Sequence, residues 1–104
     1  MDLELGGKAA VITGASRGIG RAIALALASA GCDVAIAARG AEALGEVARE
    51  VEALGRRALP VAVDLTLPGM SEALVTQAHD AFGRIDIVVN NLGGSAPANK
   101  PFME

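Results

Sequence analysis

The sequence predicts an α/β fold in which a doubly wound parallel sheet carries helices on both faces. Three observations predict it. Short apolar runs alternate with segments of helical periodicity, each helical segment stops at a glycine, and a proline within one of the apolar runs limits the strand order. The runs are rich in Val, Ile and Ala without strict two-residue alternation, as strands covered on both faces of a parallel sheet should be.

The first strand run is Lys8–Ile12. A turn of three glycines and a serine follows at once, Gly14-Ala15-Ser16-Arg17-Gly18-Ile19-Gly20, and opens a helix over Gly18 to Ala30. Periodicity puts Ile19, Ala22, Ile23, Ala26, Leu27 and Ala30 on the buried face of that helix, with Gly31 as its stop. The second strand is Asp33–Ala38. Leu44, Val47, Ala48, Val51 and Leu54 then mark a second helix that stops at Gly55. After the third strand, Ala58–Val63, the residues Met70, Leu74, Val75, Ala78 and Phe82 mark a third helix that stops at Gly83. The fourth strand is Ile85–Val89. Glycine just past a helix takes the left-handed conformation that closes it. Crossovers of this length are right-handed and place helices on both sides of the sheet. Pro60 cannot donate a ladder hydrogen bond, so the third strand belongs at an edge. The order 3-2-1-4 puts it there, whereas 2-1-3-4 would bury it.

With 104 residues the chain is one domain by length, and 52% hydrophobic content makes it globular. A net charge of −3, scattered Lys and Arg and two aromatic residues, both Phe, argue against nucleic acid as a partner, which calls for a basic stripe or stacking aromatics. The longest strictly apolar stretch, Ala22 to Ala28, falls far short of the roughly 20 residues of a membrane span. The start, MDLELGGK, lacks the basic and apolar regions of a signal peptide, and a single cysteine, Cys32, cannot form an internal disulfide. These features read as a cytoplasmic chain with no membrane contact.

In a sheet of this kind ligands bind at the carboxyl ends of the strands. The segments there are the glycine turn, Arg39-Gly40, Asp64-Leu65 and Asn90-Asn91-Leu92-Gly93-Gly94. The opposite ends, Gly31-Cys32, Gly55-Arg56-Arg57 and Gly83-Arg84, read as stops and solvated charge. Gly14 permits a sharp exit from the strand, Gly18 leaves the backbone open to a diphosphate, and Gly20 allows close packing of helix on sheet. The helix start adds unpaired N–H groups and the positive end of its dipole, with Thr13, Ser16 and Arg17 beside it. A plain strand-to-helix turn would explain a glycine cluster alone. The strand before it, the helix after it and the βαβ setting favour a nucleotide.

TGASRGIG resembles the TGxxxGxG cofactor motif of the short-chain dehydrogenase/reductase family. Asp64-Leu65 and Asn90-Asn91-Leu92-Gly93 resemble two further family signatures, with Leu92 in place of the usual alanine. Within the family the chain is most similar to the 3-oxoacyl-carrier-protein reductase and glucose dehydrogenase type. The resemblance implies a Rossmann fold and these roles: Gly14, Ser16, Gly18, Ile19 and Gly20 line diphosphate and ribose, and Asp64 and Leu65 meet the adenine. Asn90 and Gly93 border the ribose and the approach to the nicotinamide, while Asn91 steadies the sheet end. An NAD site places an acid about 20 residues after the glycine turn. Here that position reads Ala37-Ala38-Arg39, and Arg39 with Arg17 is suited to a 2′-phosphate, so the expected cofactor is NADP(H) in preference to NAD(H).

The family's catalytic Ser, Tyr-x-x-x-Lys pair and Asn lie beyond the Asn-Asn-x-Gly motif, and this sequence contains no tyrosine. The expectation is therefore that residues 1–104 are the NADP(H)-binding half of an oxidoreductase acting on a carbonyl or secondary alcohol, inactive alone. A non-catalytic NADP(H)-binding module acting through a partner, and a remnant without ligand, are the other readings. The fourth strand would present an apolar edge, so the chain is expected to dimerise, aggregate or recruit its missing half, with a homo-oligomer as the expected assembly.

Overall fold

The structure, a computed structural model, describes residues 6–91. Its elements are β1 (Ala9–Thr13), α1 (Gly18–Ser29), β2 (Asp33–Ala38), α2 (Ala41–Ala53), β3 (Ala58–Ala62), α3 (Met70–Phe82) and β4 (Ile87–Val89). The four strands form one parallel sheet in the order β3-β2-β1-β4. This is the doubly wound order expected from Pro60, which is exposed on the edge strand β3 and pairs with Ile36. The proline sits where one side of the strand needs no ladder donor.

Alternate residues of the central strands serve two cores. Ala10, Ile12, Val34 and Ile36 pack on one side with Ala24 and Ala28 of α1 and with Leu44, Val47, Ala48 and Val51 of α2. Val11, Ala35, Ala37 and Val61 pack on the other side with Leu74 and Ala78 of α3. Burying each large side chain, such as Leu44 or Val47, contributes about 1.5–3 kcal/mol. The two-sided burial explains why no polar residue alternates with the apolar ones in β1.

Two expectations need correction. The buried face of α1 is Gly20, Ala24 and Ala28, with Ile23 and Leu27 partly buried, while Ile19 is 71% exposed and Ala22 and Ala26 face water. Helical spacing alone favours the larger apolar stripe, but the helix lies so near the glycine turn that only the smallest residues fit beneath it. β4 begins at Ile87 and not at Ile85. Asp86 takes over the preceding position: its N–H donates to the Ala9 carbonyl at 2.8 Å, and its Oδ2 accepts from the Ala9 N–H at 2.9 Å. A side chain there does the work of a ladder partner. β4 lies at a sheet edge among the described residues, and Val88 on it is 60% exposed.

Candidate functional site

Four strand ends place the candidate residues in a row, Asp64 and Leu65 after β3, Arg39 after β2, the glycine turn after β1 and Asn90 after β4. Backbone bonds tie the row together. The Ala15 N–H donates to the Ala37 carbonyl at 3.2 Å, and the Val63 N–H to the Ala38 carbonyl at 2.9 Å. Gly93 lies outside the described residues.

The glycine turn is built by close approach. A Cβ on Gly14, whose φ is +63°, would stand 1.9 Å from the Asn91 carbonyl oxygen. A Cβ on Gly20 would stand 2.0 Å from the Gly14 carbonyl oxygen and 2.7 Å from Asn91 Nδ2. Gly18 differs: its φ is +65°, but a Cβ there would meet nothing within 4 Å. Two of the glycines admit protein and the third borders open space.

Thr13 holds the end of β4 against this turn. Its hydroxyl, on a residue only 7% exposed, donates to Asn90 Oδ1 at 3.0 Å and accepts from the Asn91 N–H at 2.7 Å. Asn91 Nδ2 donates to the Gly14 carbonyl at 3.3 Å. Asn91 thus steadies the sheet end as expected, whereas Thr13 is turned into the protein instead of toward an anion. A hydroxyl closing an otherwise apolar buried strand was the signal available for that second role.

The start of α1 carries no acid. Like α2 and α3 it has no side-chain cap, but its first turn lacks the carboxylate that Glu42 places in α2 and Glu72 in α3. Its first N–H groups have no intrahelical partner and carry the positive end of the helix dipole. Arg17 and Ile19 are exposed around it, Ser16 is half-buried, and the exposed Arg39 follows β2. Among the described residues no side-chain hydrogen bond engages Arg17 or Arg39, although Arg39 stands in the field of Asp64.

Asp64 is held by a residue that motif reasoning missed. Its Oδ1 accepts from the Thr66 hydroxyl at 2.6 Å and from the Thr66 N–H at 3.0 Å. These two bonds, and then the charge of Arg39, hold its carboxyl below the usual range. The Asp-x-Thr spacing is the sequence signal for such a turn.

The opposite rim is self-contained. Asp33 is 3% exposed, and burial acts most strongly to raise its pKa. The Arg57 N–H at 3.0 Å, the Arg57 guanidinium at 2.8 Å and Arg56 at 2.9 Å together outweigh burial and lower it. The Arg57 guanidinium also sits 5.1 Å from the Phe82 ring centre. The Arg84 bonds, at 2.7 and 2.8 Å, and then the Ala9 N–H lower the Asp86 pKa to about 2. These charges, expected to be solvated, are in fact paired. Burial raises the pKa of the Cys32 thiol. Among the described residues no cluster of His, Cys, Asp and Glu is suited to a metal ion, and no helix is long and apolar enough to cross a membrane.

A family model described as short chain dehydrogenase matches residues 8–104. An uncharacterised oxidoreductase of Mycobacterium tuberculosis is 55% identical over 94 residues, which are 90% of this chain and 36% of that protein. L-sorbose reductase from Gluconobacter frateurii, solved with NADPH and L-sorbose, superimposes with a TM-score of 0.86 at 44% identity, over 100% of this chain and 39% of that one. Carveol dehydrogenase from Mycobacterium avium, solved with NAD, superimposes with a TM-score of 0.80 at 32% identity, over 84% of this chain and 36% of that one. The chain thus spans well under half the length of these relatives, and the two solved structures differ in the cofactor they hold.

Proposed function

The chain belongs to the short chain dehydrogenase family, and from that premise we propose that residues 1–104 are the NADP(H)-binding half of an oxidoreductase. The reaction is reversible hydride transfer between the nicotinamide and a carbonyl or secondary alcohol. The observation that carries the reading is the uncapped, acid-free start of α1 opening beside Gly18, with Arg17 and Arg39 at hand.

The residues present fit a dinucleotide. Gly14, Ser16, Gly18, Ile19 and Gly20 hold the diphosphate and its ribose, using the first N–H groups of α1 and the dipole behind them. Arg17 and Arg39 take the 2′-phosphate, and Ala38 leaves room where a carboxylate would repel it. Asp64 and Leu65 meet the adenine. Asn90, fixed by the Thr13 hydroxyl, and Gly93 border the side leading to the nicotinamide. The bound nicotinamide supplies or accepts the hydride. The sequence contains no tyrosine, so these residues bind and orient while the proton for the carbonyl oxygen comes from a group outside them, and the 104 residues alone do not turn over. The protein works in the cytoplasm, in keeping with its one buried cysteine, and as a homo-oligomer, in keeping with a β4 edge that has no further strand among the described residues.

Calorimetric titration with NADPH and NADH tests the reading. NADPH should bind more tightly, and replacing Arg17 and Arg39 together by Ala should weaken it by about tenfold or more while leaving NADH nearly unchanged. Equal affinities for the two cofactors, or tighter NADH, would contradict the assignment.

A further inference from the structure

Four residues after β3, Asp64-Leu65-Thr66-Leu67, form a tight turn. The Leu67 N–H donates to the Asp64 carbonyl at 3.2 Å, and Leu65 packs partly buried against the core on the α3 side. A main-chain bond thus closes the turn, and one Asp64 bond, from the Thr66 N–H, would suffice to complete it. Yet Thr66 commits both its hydroxyl, at 2.6 Å, and its N–H, at 3.0 Å, to one oxygen of that carboxylate, Oδ1. An aspartate at the surface ordinarily samples several rotamers, and fixing one on binding costs a ligand affinity. Here the cost is met within the protein, and the second oxygen, Oδ2, is left as the acceptor.

We propose that Thr66 is a positioning residue for base recognition, holding the Asp64 carboxylate so that Oδ2 accepts from the exocyclic amine of the cofactor's adenine. The inference rests on the reading of Asp64 as the adenine-binding residue and adds what makes that residue selective. An oriented carboxylate favours a purine with an amine at this position and repels one with a carbonyl oxygen there. Arg39, in whose field Asp64 lies, favours the ionised carboxylate that both effects need. Thr66 itself is exposed, so its hydroxyl can be removed without opening the core.

The test compares NADPH with reduced nicotinamide hypoxanthine dinucleotide phosphate, in which a carbonyl oxygen replaces the adenine amine. The 104-residue protein should prefer the adenine form by about tenfold, the scale of one charge-assisted hydrogen bond. Thr66→Val should cut that preference to about two- or threefold, and Thr66→Ser should keep it. By NMR titration, the Asp64 carboxyl should move up toward the ordinary carboxylate range in Thr66→Val and stay in place in Thr66→Ser. A purely structural Thr66 would weaken both dinucleotides equally in the valine variant, and that result overturns the inference. So does a wild-type protein that binds both forms equally well, although cofactor binding itself then stands. Failure of the wild-type protein to bind either dinucleotide overturns the underlying reading as well.

Discussion

The two rims of the sheet use charge in opposite ways. At the amino rim the two carboxylates at the strand starts have their partners within the fold: Asp33 with Arg56 and Arg57, Asp86 with Arg84 and the Ala9 N–H. At the carboxyl rim a helix starts without cap or acid, and Arg17 and Arg39 project beside it without a side-chain hydrogen bond among the described residues. Charge that is paired stabilises the strands it joins. Charge held apart at a helix start is free to meet an anion. Both rims draw on similar residue types, so the difference lies in placement.

Substitution should separate the rims. The largest effect is expected from Gly20→Ala at the carboxyl rim. The added methyl would meet the Gly14 backbone at 2.0 Å, where no flexible side chain can give way. A cost of about 3 kcal/mol or more, the upper end for overpacking, should appear in urea unfolding together with loss of cofactor binding. Unchanged stability would mean that the turn and α1 are less tightly joined than their geometry requires. Asp33→Ala should come next, at about 2–3 kcal/mol. That is below the roughly 3–5 kcal/mol for breaking a fully buried pair, because Arg56 and Arg57 reach water. It should leave the cofactor affinity of the folded protein unchanged, and a matching fall in affinity would blur the distinction between the rims.

A smaller effect follows from pH. The Asp86 carboxyl is lowered from 3.8 to about 2, so the stability it contributes is fully present above its ordinary pKa and is lost as pH falls through about 2. Thermal unfolding followed from pH 7 to pH 2 should show this acid loss in the wild-type protein and a shallower one in Asp86→Asn. Identical acid profiles would show that the Arg84 and Ala9 bonds do not hold in solution.

The strand order was readable because Pro60 excludes itself from a central strand, and the glycine turn because strand, turn and helix follow without a gap. The features that escaped the sequence depend on side chains meeting across long separations. Asp86 replaces a ladder partner of Ala9, and the Thr13 hydroxyl joins two strand ends. The face of α1 escaped for a related reason. Periodicity orders residues around a helix, but how near the helix comes to the sheet decides whether Ile19 or Gly20 turns inward. Thr66 is different, since its Asp-x-Thr spacing is local and would have marked it.

The most direct measurement follows the backbone amides by NMR while NADPH is added. Shifts are expected at Gly14 to Gly20, Arg39, Asp64 to Thr66 and Asn90, with Asp33, Arg56, Arg57, Arg84 and Asp86 left nearly unmoved. Shifts concentrated on the amino rim, or none at the glycine turn, would contradict it.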